Sequence, residues 1–214
     1  MTNRILLLLF FAFVSFNSYA QGKLNKEMQS VFDACWAIRT AIATGNKTSL
    51  KSANEAFRQC NTCYFSTLRT IKNSSISLND HFVWDEIFID SLIRGNDVRR
   101  FAQRYADSRS VRGSSSRDGI LIKTCAVKGS KIAKFSFPSI GHQEIAVIAE
   151  PKGKITLRIH CIKSKLWHKD DEDVNEGRDY RFHIFDIPNG VNETIELEVI
   201  NCGKDDISFV VISN

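Results

Sequence analysis

The chain is 214 residues long, 43% hydrophobic and 25% charged, with Lys+Arg 29 against Asp+Glu 24 for a net charge of +5. That balance excludes a disordered tail, a collagen-like fibre and a multi-span membrane protein, and it leaves room for one large domain or two small ones. So mild and scattered a positive excess does not indicate nucleic acid as a partner.

Residues 1–20 read as a secretory signal peptide. Arg4 supplies the positive start, Ile5 to Val14 form an unbroken apolar run, and Ser18 and Ala20 precede a cleavage point before Gln21. Ten apolar residues span about 15 Å as a helix, half of a bilayer core and too little for an anchor. No later stretch approaches spanning length, so the mature chain is expected to be secreted or periplasmic, with no transmembrane segment after signal cleavage.

Residues 21–108 carry a helical period. Leu24, Met28, Val31, Cys35, Ile38 and Ile42 recur at three- and four-residue steps until Gly45 and Asn46. Thr48 or Ser49 can cap a second helix running to Gln59, with Leu50, Ala53, Ala56 and Phe57 on its apolar side. Such an αα-hairpin brings Cys35 to the level of Cys60. Residues 65–71, 82–93 and 98–105 offer further helical patches. The period then decays into residues 109–118, where Gly113, Ser114, Ser115 and Ser116 mark a linker.

From residue 119 to 214 the period is 2. Ile155, Leu157, Ile159 and Cys161 alternate with Thr156, Arg158 and His160; Ile195, Leu197 and Val199 alternate with Glu196 and Glu198. Further strands are predicted over 120–127, 131–137, 144–149, 180–187 and 207–213. The fold class is therefore α+β, an N-terminal helical domain followed by an antiparallel β-sandwich.

The stretch from Glu150 to Asn214 resembles the pre-peptidase C-terminal family, the jelly-roll-like sandwiches appended to secreted bacterial enzymes. The resemblance rests on Lys154-Ile155-Thr156-Leu157-Arg158-Ile159, an acidic loop at Asp170 to Asp173, Ile195-Glu196-Leu197-Glu198-Val199-Ile200-Asn201, and Ser208-Phe209-Val210-Val211-Ile212. It implies a non-catalytic accessory domain. It covers under half of the chain, no protease precedes the domain, and the calcium-like acidic pattern is incomplete.

Six cysteines (Cys35, Cys60, Cys63, Cys125, Cys161 and Cys202) in an oxidising compartment point to disulfides. Six cysteines allow fifteen connectivities, among which the sequence does not choose; if Cys35–Cys60 and Cys161–Cys202 pair, the latter against the parity of Cys202 at its strand end, Cys63 and Cys125 remain and could join the two halves. Cys60-Asn61-Thr62-Cys63 is a C-x-x-C, but a helix ends there rather than starting, so no helix N-terminus lowers a thiol pKa. His160, His168 and His183 lie near Asp170, Asp171, Glu172 and Asp173. His168 with Asp170, Asp171 and Asp173 makes a candidate metal site, calcium being the cofactor considered. The bland alternative is a solvated hairpin loop.

Motifs of common hydrolases, zinc proteases and nucleotide binders are absent. The sequence therefore points to a non-enzymatic binding protein. Its ligand, a glycan, peptide or protein, would meet a polar strand face made of Arg158, His160, Arg181, His183, Glu196 and Glu198. The alternative is a small secreted hydrolase or thiol oxidoreductase built on Cys60 and Cys63 or on the histidine group.

Overall fold

The structure, a computed structural model, describes residues 23–72, 74–75, 93–94, 119–169 and 177–214. The signal segment, most of the expected helices over 82–93 and 98–105, the linker, and Asp170, Asp171 and Asp173 lie outside the described residues.

Helix α1 spans Lys26–Thr44 and α2 spans Lys47–Arg58. Each begins where an asparagine carbonyl oxygen accepts a backbone N–H left over in the first turn: Asn25 from Met28 and Asn46 from Ser49. The start of α2 is thus set by Asn46 rather than by Thr48 or Ser49. Gly45 ends α1 at φ 65, a left-handed value that suits glycine. No helix among the described residues is long and apolar enough to cross a membrane.

Ten strands follow among the described residues: β1 (Thr62–Tyr64), β2 (Arg69–Thr70), β3 (Ile120–Val127), β4 (Ile132–Ser139), β5 (His142–Ala149), β6 (Ile155–Cys161), β7 (Leu166–Lys169), β8 (Tyr180–Asp186), β9 (Glu193–Asn201) and β10 (Ile207–Ser213). They form two sheets, ordered β1-β3-β10-β5-β8 and β2-β4-β9-β6-β7. All pairings are antiparallel except β1 with β3. Eight strands, β3 to β10, follow the jelly-roll order, and β1 and β2 widen one edge of each sheet. The helix expected over 65–71 is replaced by a loop and the short strand β2. Residues 69–70 pair with β4, and Phe65 and Leu68 are buried in the sandwich core, so tertiary pairing overrides a weak local pattern.

Two apolar layers hold these elements. Between the sheets lie Phe65, Phe135, Leu157, Leu197 and Phe209, supplied by the inward parity of each strand. On the outer side of the first sheet, Met28, Val31, Ile38 and Leu50 pack against Ala146, Ile148, Val210 and Ile212. β5 and β10 are therefore apolar on both faces, which is why they read as continuous runs. The helices share a core with the sheet rather than standing apart. Arg39 pins this layer: it is 7% exposed, its Nε donates to the Ala149 carbonyl at 2.7 Å, and a second nitrogen lies 3.3 Å from Asp179.

Candidate functional site

The outer face of the second sheet carries no helix among the described residues and holds the polar parity of its strands. Register places Arg69 opposite Ser136, Ser136 opposite Glu196, Glu196 opposite His160, and His160 opposite Trp167. Facing pairs project to the same side, so these five side chains form one row crossing β2, β4, β9, β6 and β7. Four strand spacings give it a length of about 19 Å.

The row has two distinct ends. At the β7 end the Trp167 indole, 49% exposed, lies flat on the His160 imidazole, with ring centroids 4.1 Å apart and planes 1° from parallel. Exposed Ile162 and Leu166 sit in the same hairpin. At the β2 end Thr67, Arg69, Ser136, Phe137, Pro138 and Thr194 line a shallow depression of about 230 Å³. Beside the row runs a charged chain in which Glu198 meets Lys134 at 2.6 Å and Arg158 at 3.7 Å. Glu196 lies 3.6 Å from His160.

The hairpin bearing Trp167 is fixed from below. Glu193, 2% exposed, accepts the backbone N–H groups of Lys163 (2.7 Å), Ser164 (3.0 Å) and Thr194 (3.0 Å). Burial works against its charge, but these donors outweigh burial and hold the carboxyl below its ordinary range. The turn cannot open without stranding that carboxylate, so the indole is held in place before any ligand arrives.

Four of the six residues expected on the polar face are there: Arg158, His160, Glu196 and Glu198. Arg181 and His183 are not. β8 belongs to the other sheet, where they face Val147 and Ile145 and point into the sandwich; Arg181 is 4% exposed. Parity within a strand is legible in sequence, whereas sheet membership is not. Sequence reasoning missed Trp167 and Arg69. β7 is four residues long and β2 is two, too short for an alternation to register.

His168 faces inward with the β8 pair, stacked on Phe185 at 4.7 Å and 6.5 Å from the His183 ring. Burial, and then the neighbouring His183, push its pKa down. His160, on the opposite side of the sheet, cannot join them. Among the described residues no group of three or more His, Cys, Asp or Glu side chains is placed to hold a metal ion. The acidic members of the expected metal site lie outside that set.

Among the described residues no disulfide joins two of the six cysteines. Two expected pairings fail on register. Cys161 sits opposite Ile195, while the Cys202 N–H bonds the Lys154 carbonyl, seven residues back along the chain and about 23 Å away. Cys63 sits beside Leu121, four residues or about 13 Å short of Cys125. A disulfide needs Cα atoms within about 7 Å. Cys35 and Cys60 are close enough to interact electrostatically, and burial pushes both thiols up, further in Cys35, where Cys60 adds to it. A raised thiol is the reverse of an activated nucleophile.

A second polar group closes the end of the first sheet. His142 Nδ1 lies 2.8 Å from Asp186 and its Nε2 3.1 Å from Glu144. Both Glu144 oxygens accept the Asn25 N–H at 3.0 Å, which seats the start of α1 on β5. The bonds to Asp186 and then Glu144 hold the His142 pKa up.

No family model matches the chain, and no curated protein matches it. Solved structures overlap it in part. The Yersinia pseudotuberculosis-derived mitogen matches at TM-score 0.36 and 9% identity, over 45% of this chain and 85% of its own. The pre-peptidase C-terminal domain of collagenase from Bacillus anthracis matches at TM-score 0.27 and 12% identity, over 46% and 80%. A mutant of a family 29 carbohydrate binding module matches at TM-score 0.26 and 12% identity, over 42% and 70%. Each overlap covers under half of this chain and brings no function with it.

Proposed function

We propose that this is a non-enzymatic binding protein, acting outside the cytoplasm, that recognises a saccharide chain laid across the outer face of the second sheet. The observation that carries the reading is the cross-strand row from Arg69 to Trp167. An indole half exposed and already stacked offers a flat apolar surface to the C–H face of a sugar ring, at little ordering cost. Beyond it the row alternates carboxylate, hydroxyl and guanidinium groups, which suit a ligand with a hydroxyl at every turn. A peptide strand would instead seek an unpaired sheet edge, where main-chain bonding is available. The apolar run ahead of Gln21 supports export.

The test is a glycan array with the purified protein, followed by calorimetry on the best binder with wild type and Trp167→Ala. Binding lost in the variant at unchanged melting temperature supports the reading. Equal binding by both proteins, or binding to no glycan, refutes it.

A further inference from the structure

We infer that the saccharide is acidic and that its negative group sits at Arg69, at the end of the row opposite Trp167. This rests on the saccharide reading and adds the ligand's charge class and its direction on the sheet.

The depression at the β2 end is lined by Thr67, Arg69, Ser136, Phe137, Pro138 and Thr194. Three of these are hydroxyl side chains, one is a cation, and none is a carboxylate. Arg69 is exposed on a two-residue strand. Among the described residues, the carboxylates of the same face are elsewhere and occupied. Glu198 is shared between Lys134 and Arg158, and Glu196 sits two strand spacings from Arg69, about 10 Å away, next to His160. At that separation and in physiological salt, Glu196 is largely screened from an anion placed at Arg69.

The chemistry of the lining selects an oxyanion. A guanidinium offers parallel N–H donors that match the two oxygens of a carboxylate, or of a sulfate or phosphate ester. Ser136, directly opposite Arg69, and Thr67 and Thr194 can donate to the oxygens left over. A neutral sugar would leave the guanidinium without a charged partner among the described residues. The two ends then differ in kind: Trp167 grips any ring face, and Arg69 discriminates by charge.

The experiment is calorimetry with tetrasaccharide pairs alike except in charge: tetragalacturonate and its methyl ester, a sulfated and a desulfated chondroitin tetrasaccharide, and mannotetraose with and without a 6-phosphate. Wild type, Arg69→Gln, Arg69→Lys and Trp167→Ala are compared. The expected result is that one acidic member binds wild type about tenfold or more tightly than its neutral twin. Arg69→Gln removes that preference, so that acidic and neutral twins bind within about twofold of each other, whereas Arg69→Lys, a charge without the fork, retains part of it. The preference also shrinks as salt is raised. The pair that shows it tells carboxylate, sulfate and phosphate apart.

Equal affinities within every pair, or a preference that survives in Arg69→Gln, overturn the acidic assignment while leaving the saccharide reading intact, provided that Trp167→Ala still abolishes binding. Trp167→Ala binding like wild type, or no binding by any tetrasaccharide, overturns both.

Discussion

The imidazole of His160 and the indole of Trp167 lie face to face across β6 and β7, 4.1 Å apart and parallel within 1°. Two rings from adjacent strands form one platform, and each fixes the rotamer of the other. His160→Ala is therefore expected to weaken saccharide binding through loss of indole order rather than loss of a ligand contact. His160→Phe keeps a flat neighbour and should restore most of the affinity. Calorimetry and indole fluorescence anisotropy would check this; equal effects of the two substitutions would assign His160 a direct contact instead.

Glu193 links that platform to the acid limit of the protein. Its carboxyl is held low in the folded state, so its contribution is present above the unfolded value near pH 4.3 and is lost as pH falls through the depressed folded value. Glu193→Gln should cost about 1–2 kcal/mol at neutral pH and flatten the stability profile below pH 4. Urea unfolding at pH 7 and pH 3.5 measures both.

Two histidines should respond to pH in opposite directions. His142 is held above its ordinary value, so its contribution is full below about pH 6.5 and fades as pH rises through the raised folded value. His168 is held below its ordinary value, so stability is lost as pH falls from about 6.5 toward the lowered folded value. Melting curves from pH 5 to 8 should show the gap between wild type and His142→Gln closing with rising pH. For His168→Gln the relative stability of the variant should improve on acidification.

Cys35 and Cys60 are the pair that the helical hairpin brings together. With oxidised glutathione accepting the two electrons, one bridge is expected between them, closing the chain between residues 35 and 60. It should raise stability by about 3 kcal/mol. Cys63, Cys125, Cys161 and Cys202 should still alkylate. Non-reducing peptide mass spectrometry checks the assignment, and a Cys161–Cys202 or Cys63–Cys125 peptide would contradict the strand register.

Arg39 is the polar anchor between α1 and the first sheet. Arg39→Leu leaves the Ala149 carbonyl buried without its donor and should destabilise the protein by about 2 kcal/mol. Saccharide binding, on the far face of the sandwich, should be unchanged in the fraction that stays folded. Thermal melting and calorimetry on the same sample separate the two effects.

Local rules carried the sequence reading as far as local physics reaches. Asparagine and glycine at the hairpin, the 3.6 period of α1 and the alternation in β6 and β9 are properties of neighbouring residues, and both helices and the longer strands were legible in them. So was the outward parity of Arg158, His160, Glu196 and Glu198. Which strands share a sheet depends on non-local pairing that no window of residues contains. That pairing turned Arg181 and His183 inward, set Cys161 and Cys202 at opposite ends of a ladder, and drew two short segments around residues 62 and 69 onto the sheet edges. The same pairing aligned Arg69, Ser136, Glu196, His160 and Trp167. Those residues are spread from position 69 to position 196 of the chain, and only hydrogen-bonded register, summed over four strand pairs, could place them in one row.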